Sequence, residues 1–176
     1  MPPKVLIVDD NEETRLVLAV RLKQLGCWCV LAAGEAQARE RLNEHAFELA
    51  LLALNPSGNL GLGLLRYLVT EYPQIATLVI ASADDPLLVD AALEAGAYGY
   101  LVKPIRAEEL FVHVSCALRR RSCEAKRRAR VERLTTALRE RTDAFLEARE
   151  RLGLLEKQLE GLANRPYPSS ERGCER

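Results

Sequence analysis

Charged and hydroxyl side chains of this 176-residue chain follow directly after short apolar runs. Asp9 and Asp10 end the first run, Ser82 follows a later one, and Lys103 follows the last. Carboxylates, a hydroxyl and an ammonium gathered in one place can hold a hard divalent cation and neutralise a phosphoryl group, because such cations take oxygen ligands and lysine contacts phosphoryl oxygens. A further apolar run ends without an acid and has Ala53 near its end.

The elements that must position these residues follow from the apolar pattern. Short runs that are apolar throughout, between segments of helical period, predict parallel strands covered on both faces. The predicted strands are 5–8, 28–33, 49–54, 77–81 and 98–102, and the predicted helices are about 12–25, 35–44, 61–71, 86–95 and from 106 onward. Five such units predict an α/β fold with a doubly wound, five-stranded parallel sheet, in which ligands bind outside the carboxyl ends of the strands.

The motifs and their spacing resemble the receiver domain of two-component response regulators. The resemblance implies the flavodoxin-like strand order 2-1-3-4-5. It also implies a magnesium ion, held by two acids after the first strand and by an acceptor aspartate after the third, and in-line attack by that acceptor on a phosphoryl group. By position, Asp9 and Asp10 would be the metal ligands, Ser82 the hydroxyl, Tyr100 the aromatic switch residue and Lys103 the cation.

Ala53 stands at the acceptor position, so the nucleophile and one metal ligand are missing. The loop after it also departs from the family, since Pro56 comes one place early, and this favours a natural loss over an engineered substitution. Ser57 and Asp10 are the substitute acceptors to weigh, but neither has a carboxylate where in-line attack is normally made. We therefore expect no enzyme activity.

For the surviving acids and lysine we weigh two interpretations. Asp9 and Asp10 could still bind Mg²⁺ weakly, although a hard divalent ion depends on the number of carboxylates. The interpretation that we favour is an ion cluster of Asp9, Asp10 and Lys103 in which the lysine takes the room of the metal. We expect no required cofactor.

Charge divides the chain into two parts. Residues 1–117 hold 9 Lys and Arg against 15 Asp and Glu, whereas residues 118–176 hold 16 against 10. An asymmetry of this kind marks a boundary between two kinds of structure. We predict a receiver-like domain at 1–118, a basic helical connector at 119–130, a coiled coil at 131–163 and a disordered tail at 164–176.

A heptad pattern follows the basic connector. Ten seam positions recur at the spacing of a coiled coil, and nine of them are apolar, with Arg141 as the exception and Ala148 as the smallest. We expect a parallel homodimer in which Arg151 pairs with Glu156 of the other copy, weakened by Gly153. The predicted dimerisation residues are Val131, Leu134, Leu138, Phe145, Leu152, Leu155, Leu159 and Leu162.

The basic connector, residues 119–130, contains seven cations and one acid. Basic residues before a leucine seam are also typical of DNA-binding basic zippers. The pattern of asparagine and alanine residues with which those proteins contact base edges is absent from this sequence. We favour a solvated helix face over a nucleic-acid or acidic protein ligand.

Taken together, these features predict an atypical, phosphorylation-independent response regulator that acts as a dimeric scaffold in two-component signalling. A histidine kinase or an output protein is the expected partner. A receiver that accepts phosphate at an unusual residue and a DNA-binding regulator are the alternatives.

No apolar run approaches the roughly 20 residues of a membrane span, and we expect a cytoplasmic protein with reduced cysteines.

Overall fold

A computed structural model describes residues 2–54, 61–81 and 86–163. The chain forms two compact units, residues 1–127 and 128–176. The first unit ends later in the chain than the predicted receiver-like domain. The division of the following residues into a basic connector and a coiled coil stays a prediction. The predicted tail at 164–176 lies outside the described residues.

The first unit is a five-stranded parallel sheet of order β2-β1-β3-β4-β5. This order and the predicted fold class are confirmed, with element ends within a residue or two of the expected ones. The strands are β1 (Lys4–Val8), β2 (Trp28–Ala32), β3 (Leu49–Leu54), β4 (Ala76–Ala81) and β5 (Gly99–Val102). The helices are α1 (Glu12–Gln24), α2 (Glu35–Glu44), α3 (Leu62–Glu71), α4 (Pro86–Glu94) and α5 (Ala107–Ala163).

Both faces of the sheet are covered because successive side chains of a strand point to opposite faces. Val5 and Ile7 of β1 pack with α1 and α5, whereas Leu6 and Val8 pack with α2 and α3. The middle strands follow the same alternation, and their side chains are almost fully buried. This arrangement explains why the strands read as continuous apolar runs in the sequence.

Helix α5 begins on the sheet, and its first part belongs to the first unit. Leu110, Val114 and Ala117 lie on one side of the helix and are buried against the sheet. After them the contacts become polar: the Tyr98 hydroxyl donates to the Glu124 carboxylate, and Arg121 donates to the backbone oxygen of Gln74 at 2.5 Å. The first unit therefore holds α5 through residue 124.

In the second unit, α5 exposes its apolar residues. The seam positions with described side chains are between 54% and 66% exposed where they are large, namely Val131, Leu134, Leu138, Phe145, Leu152, Leu155 and Leu159. The side chain of Leu162 lies outside the described residues. The helix runs through Gly153 without a break.

Trp28 opens β2 and is half exposed, with the ammonium of Lys4 lying 4.6 Å from its ring centroid. It is the only tryptophan of the chain.

Across the described ranges, no helix combines the length and apolarity that a bilayer crossing requires.

The cysteines of the first unit differ in exposure, and this predicts their reactivity. Burial raises the pKa of the Cys27 thiol, and burial together with neighbouring Cys27 raises the pKa of Cys29 to about 11, partly opposed by Lys23. A raised pKa lowers the thiolate fraction, at pH 8 to roughly one part in a thousand for Cys29. Exposed Cys116 and Cys123 should therefore be alkylated first by iodoacetamide in the folded protein.

Peptide mass mapping at successive times measures this order, and alkylation in urea is the control that makes every thiol accessible. Modification of Cys29 at the rate of Cys123 in the folded protein would contradict the prediction.

Candidate functional site

Four of the predicted site residues lie at the carboxyl ends of strands: Asp9 and Asp10 follow β1, Lys103 follows β5, and Ala53 is the second-last residue of β3. In the register, Val8 of β1 lies opposite Leu52 of β3, so that Asp9 and Ala53 are the next residues of neighbouring strands. The backbone N–H of Lys103, just after β5, donates to the carbonyl of Ala81 at the end of β4 at 2.9 Å. The topology thus brings Asp9, Ala53 and Lys103 to one edge of the sheet, as predicted.

An ion pair joins Lys103 and Asp9 at this edge. The Lys103 ammonium lies 2.6 Å from Asp9 Oδ2, and the Asp9 side chain is 1% exposed against 25% for Lys103. The backbone N–H of Asn11 donates to the other Asp9 oxygen, Oδ1, at 2.9 Å. Both carboxylate oxygens therefore have a donor, as a buried charge requires.

The loop after β1 is held by its backbone. One guanidinium nitrogen of Arg15 donates to the carbonyl oxygens of Asp9 at 2.6 Å and of Asp10 at 3.1 Å. The Asn11 side chain accepts from the Thr14 N–H and caps α1, which satisfies one of the free donors of the helix start. Asp10 itself is exposed.

Ala53 is half-buried at the acceptor position of β3 and offers only a methyl group. Helix α3 begins close to this strand end. Gly61, directly before the helix, has a φ of 130°, and a side chain at this position would collide with Leu54. In the sheet order, β3 and β4 lie between β1 and β5. The Lys103–Asp9 pair therefore spans the ends of the two middle strands, where an acceptor carboxylate would stand.

The described residues do not fit the magnesium ion that the resemblance implies. Ala53 supplies no oxygen, and both oxygens of Asp9 already accept from Lys103 and Asn11. Within residues 2–54, 61–81 and 86–163, no three His, Cys, Asp or Glu side chains are grouped so as to hold a metal ion. The donor set that a hard divalent cation needs is therefore not assembled here.

The structure places the remaining predicted residues as follows. Tyr100 lies on β5 opposite Val79 of β4, and its side chain is 38% exposed. Ser82 and the loop with Ser57 lie outside the described residues. The predicted roles of Tyr100 and Ser82 as switch residues stay predictions.

Two residues of this edge were not predicted. Asn11 carries a recognisable signal, since an Asn directly before a helix is a preferred N-cap. Arg15 carries none, because its contacts depend on the path of the loop five and six residues earlier in the chain.

Comparison with known proteins gives a consistent result. Residues 5–115 match the response regulator receiver domain family. The chain is 32% identical to the response regulator protein PilR of Pseudomonas aeruginosa over 123 residues, which is 70% of this chain and 28% of PilR. It is 35% identical to the protein PetR of Rhodobacter capsulatus over 119 residues, 68% of this chain and 50% of PetR. The chain thus matches half or less of these relatives.

Solved structures agree on the fold. NtrX from Brucella abortus superposes with a TM-score of 0.68 at 25% identity, covering 72% of this chain and 29% of NtrX. A CheY-like receiver domain protein from Methanospirillum hungatei superposes with a TM-score of 0.66 at 22% identity, covering 70% of this chain and 99% of that one.

The buried ion pair predicts a stability effect. Lys103→Met leaves the Asp9 carboxylate buried with only the Asn11 N–H, so unfolding should become easier by about 1–3 kcal/mol, less than for a fully buried pair because Lys103 is partly exposed. Urea unfolding measures the difference, and Lys23→Met, at an exposed lysine of α1, is the matched control.

A double-mutant cycle with Asp9→Asn separates the pair from other effects of the substitution. The double variant should lose less stability than the sum of the two single variants. Additive losses would show that the two side chains do not interact.

Proposed function

The chain belongs to the response regulator receiver family, and on that premise we propose that it is a phosphorylation-independent regulator of two-component signalling that works as a dimeric scaffold. The proposal depends on one observation. Ala53 stands at the acceptor position, and the neighbouring Lys103 and Asp9 already form an ion pair with each other. The proposed molecule is a binding module and not an enzyme.

Phosphoryl transfer to a receiver needs a nucleophile, a metal ion and a free cation. Ala53 has no nucleophilic atom. Lys103, which would contact the phosphoryl oxygens, is instead bound to Asp9. Among the described residues, the donors of a metal site are also not assembled. All three requirements are thus weakened, which favours a receiver held in one state over one that is switched by phosphorylation.

The first alternative is phosphorylation at an unusual acceptor. Asp10 is the described candidate, and it is exposed, with its backbone carbonyl bound by Arg15. Asp10 follows β1, whereas the family's acceptor stands after β3, so a phosphoryl group there would lie elsewhere on the edge.

In the proposed regulator, the coil is the output or the site where another protein docks. Seven large apolar seam side chains are more than half exposed on the single helix. Most of the stability of a helix in a protein comes from packing an apolar face, so a 57-residue helix with this face needs a partner. A second copy of the chain is the partner that we propose for the seam, and a histidine kinase or an output protein is the proposed partner of the assembled dimer.

The second alternative is DNA binding through residues 119–130. Part of this connector already has another role: Arg120 lies over the Tyr98 ring at 4.6 Å and pairs with Glu124 at 3.0 Å, and Arg121 binds Gln74. Cations that hold the helix on the sheet are poorly placed to contact phosphates. A DNA affinity that falls steeply with salt would favour this alternative.

A phosphorylation assay tests the first part of the proposal. Incubation with acetyl phosphate and Mg²⁺ should give no phosphoryl adduct by intact mass, because the carboxylate is absent at Ala53. An adduct that maps to Asp10 or Ser57 would overturn phosphorylation independence. Ala53→Asp restores a carboxylate next to Asp9, and we expect it to recover magnesium binding more readily than phosphorylation.

Light scattering of the full chain tests the second part. The chain should be a dimer at micromolar concentration, and Leu152→Asp with Leu159→Asp should make it monomeric, because buried charges in the seam are costly. The matched control is Thr136→Asp with Lys157→Asp, on the opposite side of the helix, which should remain dimeric. A monomeric parent chain, or a seam variant that stays dimeric, would contradict the proposal.

A further inference from the structure

The proposed homodimer can form with its two helices parallel or antiparallel, and the residues of the seam distinguish the two. We infer that two copies of the seam, residues 131–162, pair antiparallel, in place of the parallel arrangement expected from the Arg151 and Glu156 pair alone. This inference rests on the proposed dimer and specifies its geometry.

A parallel dimer sets each seam residue against itself. The middle three layers would then hold two Arg141 side chains, two Phe145 rings and two Ala148 methyl groups. Two guanidinium groups in one buried layer repel each other in a medium of low dielectric. Two Phe145 rings overfill one layer, and two Ala148 methyl groups leave the next layer underfilled. Overpacking and cavities both destabilise a core.

The seam has two series of positions, each with a spacing of seven residues: one starts at Val131 and the other at Leu134. In an antiparallel dimer, the first series of one copy faces the second series of the other. With residues 131 and 162 of the two copies level, Phe145 lies opposite Ala148, the largest seam residue against the smallest. Leu134 lies opposite Leu159, and Leu138 opposite Leu155. Arg141 lies opposite Leu152, so its aliphatic stem packs while its guanidinium extends to the surface.

The residues beside the seam do not oppose this arrangement. The flanking neighbours become Ala144 with Arg151, and Thr142 with Arg149, so that no like charges are paired across the interface. The parallel arrangement would gain the Arg151 and Glu156 pair twice, once on each side of the dimer, but each exposed ion pair contributes only about 0.2–1 kcal/mol. The three mismatched middle layers outweigh them.

The basic connector supplies an independent argument from charge. In a parallel dimer, the two copies of residues 119–130 would approach within about 10 Å, the spacing of packed helices. In an antiparallel dimer, the two ends at residue 131 lie about 47 Å apart at 1.5 Å per residue. This is several times the Debye length of about 8 Å at physiological salt, so the repulsion between seven cations and seven is screened.

Disulfide trapping in the full chain tests the orientation. Leu134→Cys and Leu159→Cys are prepared separately, each with Cys116, Cys123 and Cys174 replaced by serine. Both substituted positions are exposed on the single helix, so the fold should survive, and circular dichroism checks this. Each variant is oxidised alone and in a mixture of the two, and Glu150→Cys, away from the seam, is the matched control.

The antiparallel dimer should give a disulfide between positions 134 and 159 only in the mixture, with little bridge in either variant alone. Bridges of 134 to 134 and 159 to 159 in the separate variants would show a parallel dimer and overturn the inference, while the proposed dimer would stand. A monomer by light scattering would overturn both.

A second measurement does not depend on cysteine. Chains with Arg141→Glu are mixed with the parent chain and the composition of the dimers is read by native mass spectrometry. In a parallel dimer, the Arg141 layer would become an attractive pair and mixed dimers would exceed the statistical half. In the antiparallel dimer, Leu152 lies opposite that position in every combination, so mixed dimers should form close to the statistical fraction. A clear excess would overturn the inference.

Discussion

The ion pair between Lys103 and Asp9 is the interaction on which the carboxyl edge of the sheet depends. It connects the ends of β5 and β1, which are not neighbours in the sheet, across the ends of β3 and β4. A buried carboxylate is costly without donors, and here an ammonium and a backbone N–H supply them. In the proposed function, the same pair replaces the metal and phosphoryl contacts of the family with a permanent internal contact.

The sequence was sufficient for the strands because they are apolar on both faces, and the family resemblance supplied their order in the sheet. It was also sufficient for the edge, since residues that follow parallel strands must meet there. It was not sufficient for the contacts of Arg15, or for those of Glu124 with Tyr98 and of Arg121 with Gln74. Contacts of that kind depend on how loops and a long helix are placed in three dimensions, and no local pattern encodes them.

Helix α5 has a different role in each unit. Its first part is a component of the receiver fold, with Leu110, Val114 and Ala117 buried and with Glu124 bound to Tyr98. Its second part is an exposed apolar seam that has the spacing of a coiled coil. The polar contacts around residues 120–124 lie where one role ends and the other begins, which explains why part of the basic connector belongs structurally to the sheet.

The position of Trp28 gives the two units separate spectroscopic signals. The single tryptophan lies on β2, under the Lys4 ammonium, and residues 128–163 contain neither tryptophan nor tyrosine. Its fluorescence therefore follows the sheet alone. Far-UV circular dichroism is weighted toward α5, which holds more residues than the other four helices together. A denaturation followed by both signals at once would show whether the two units unfold in one cooperative step or separately.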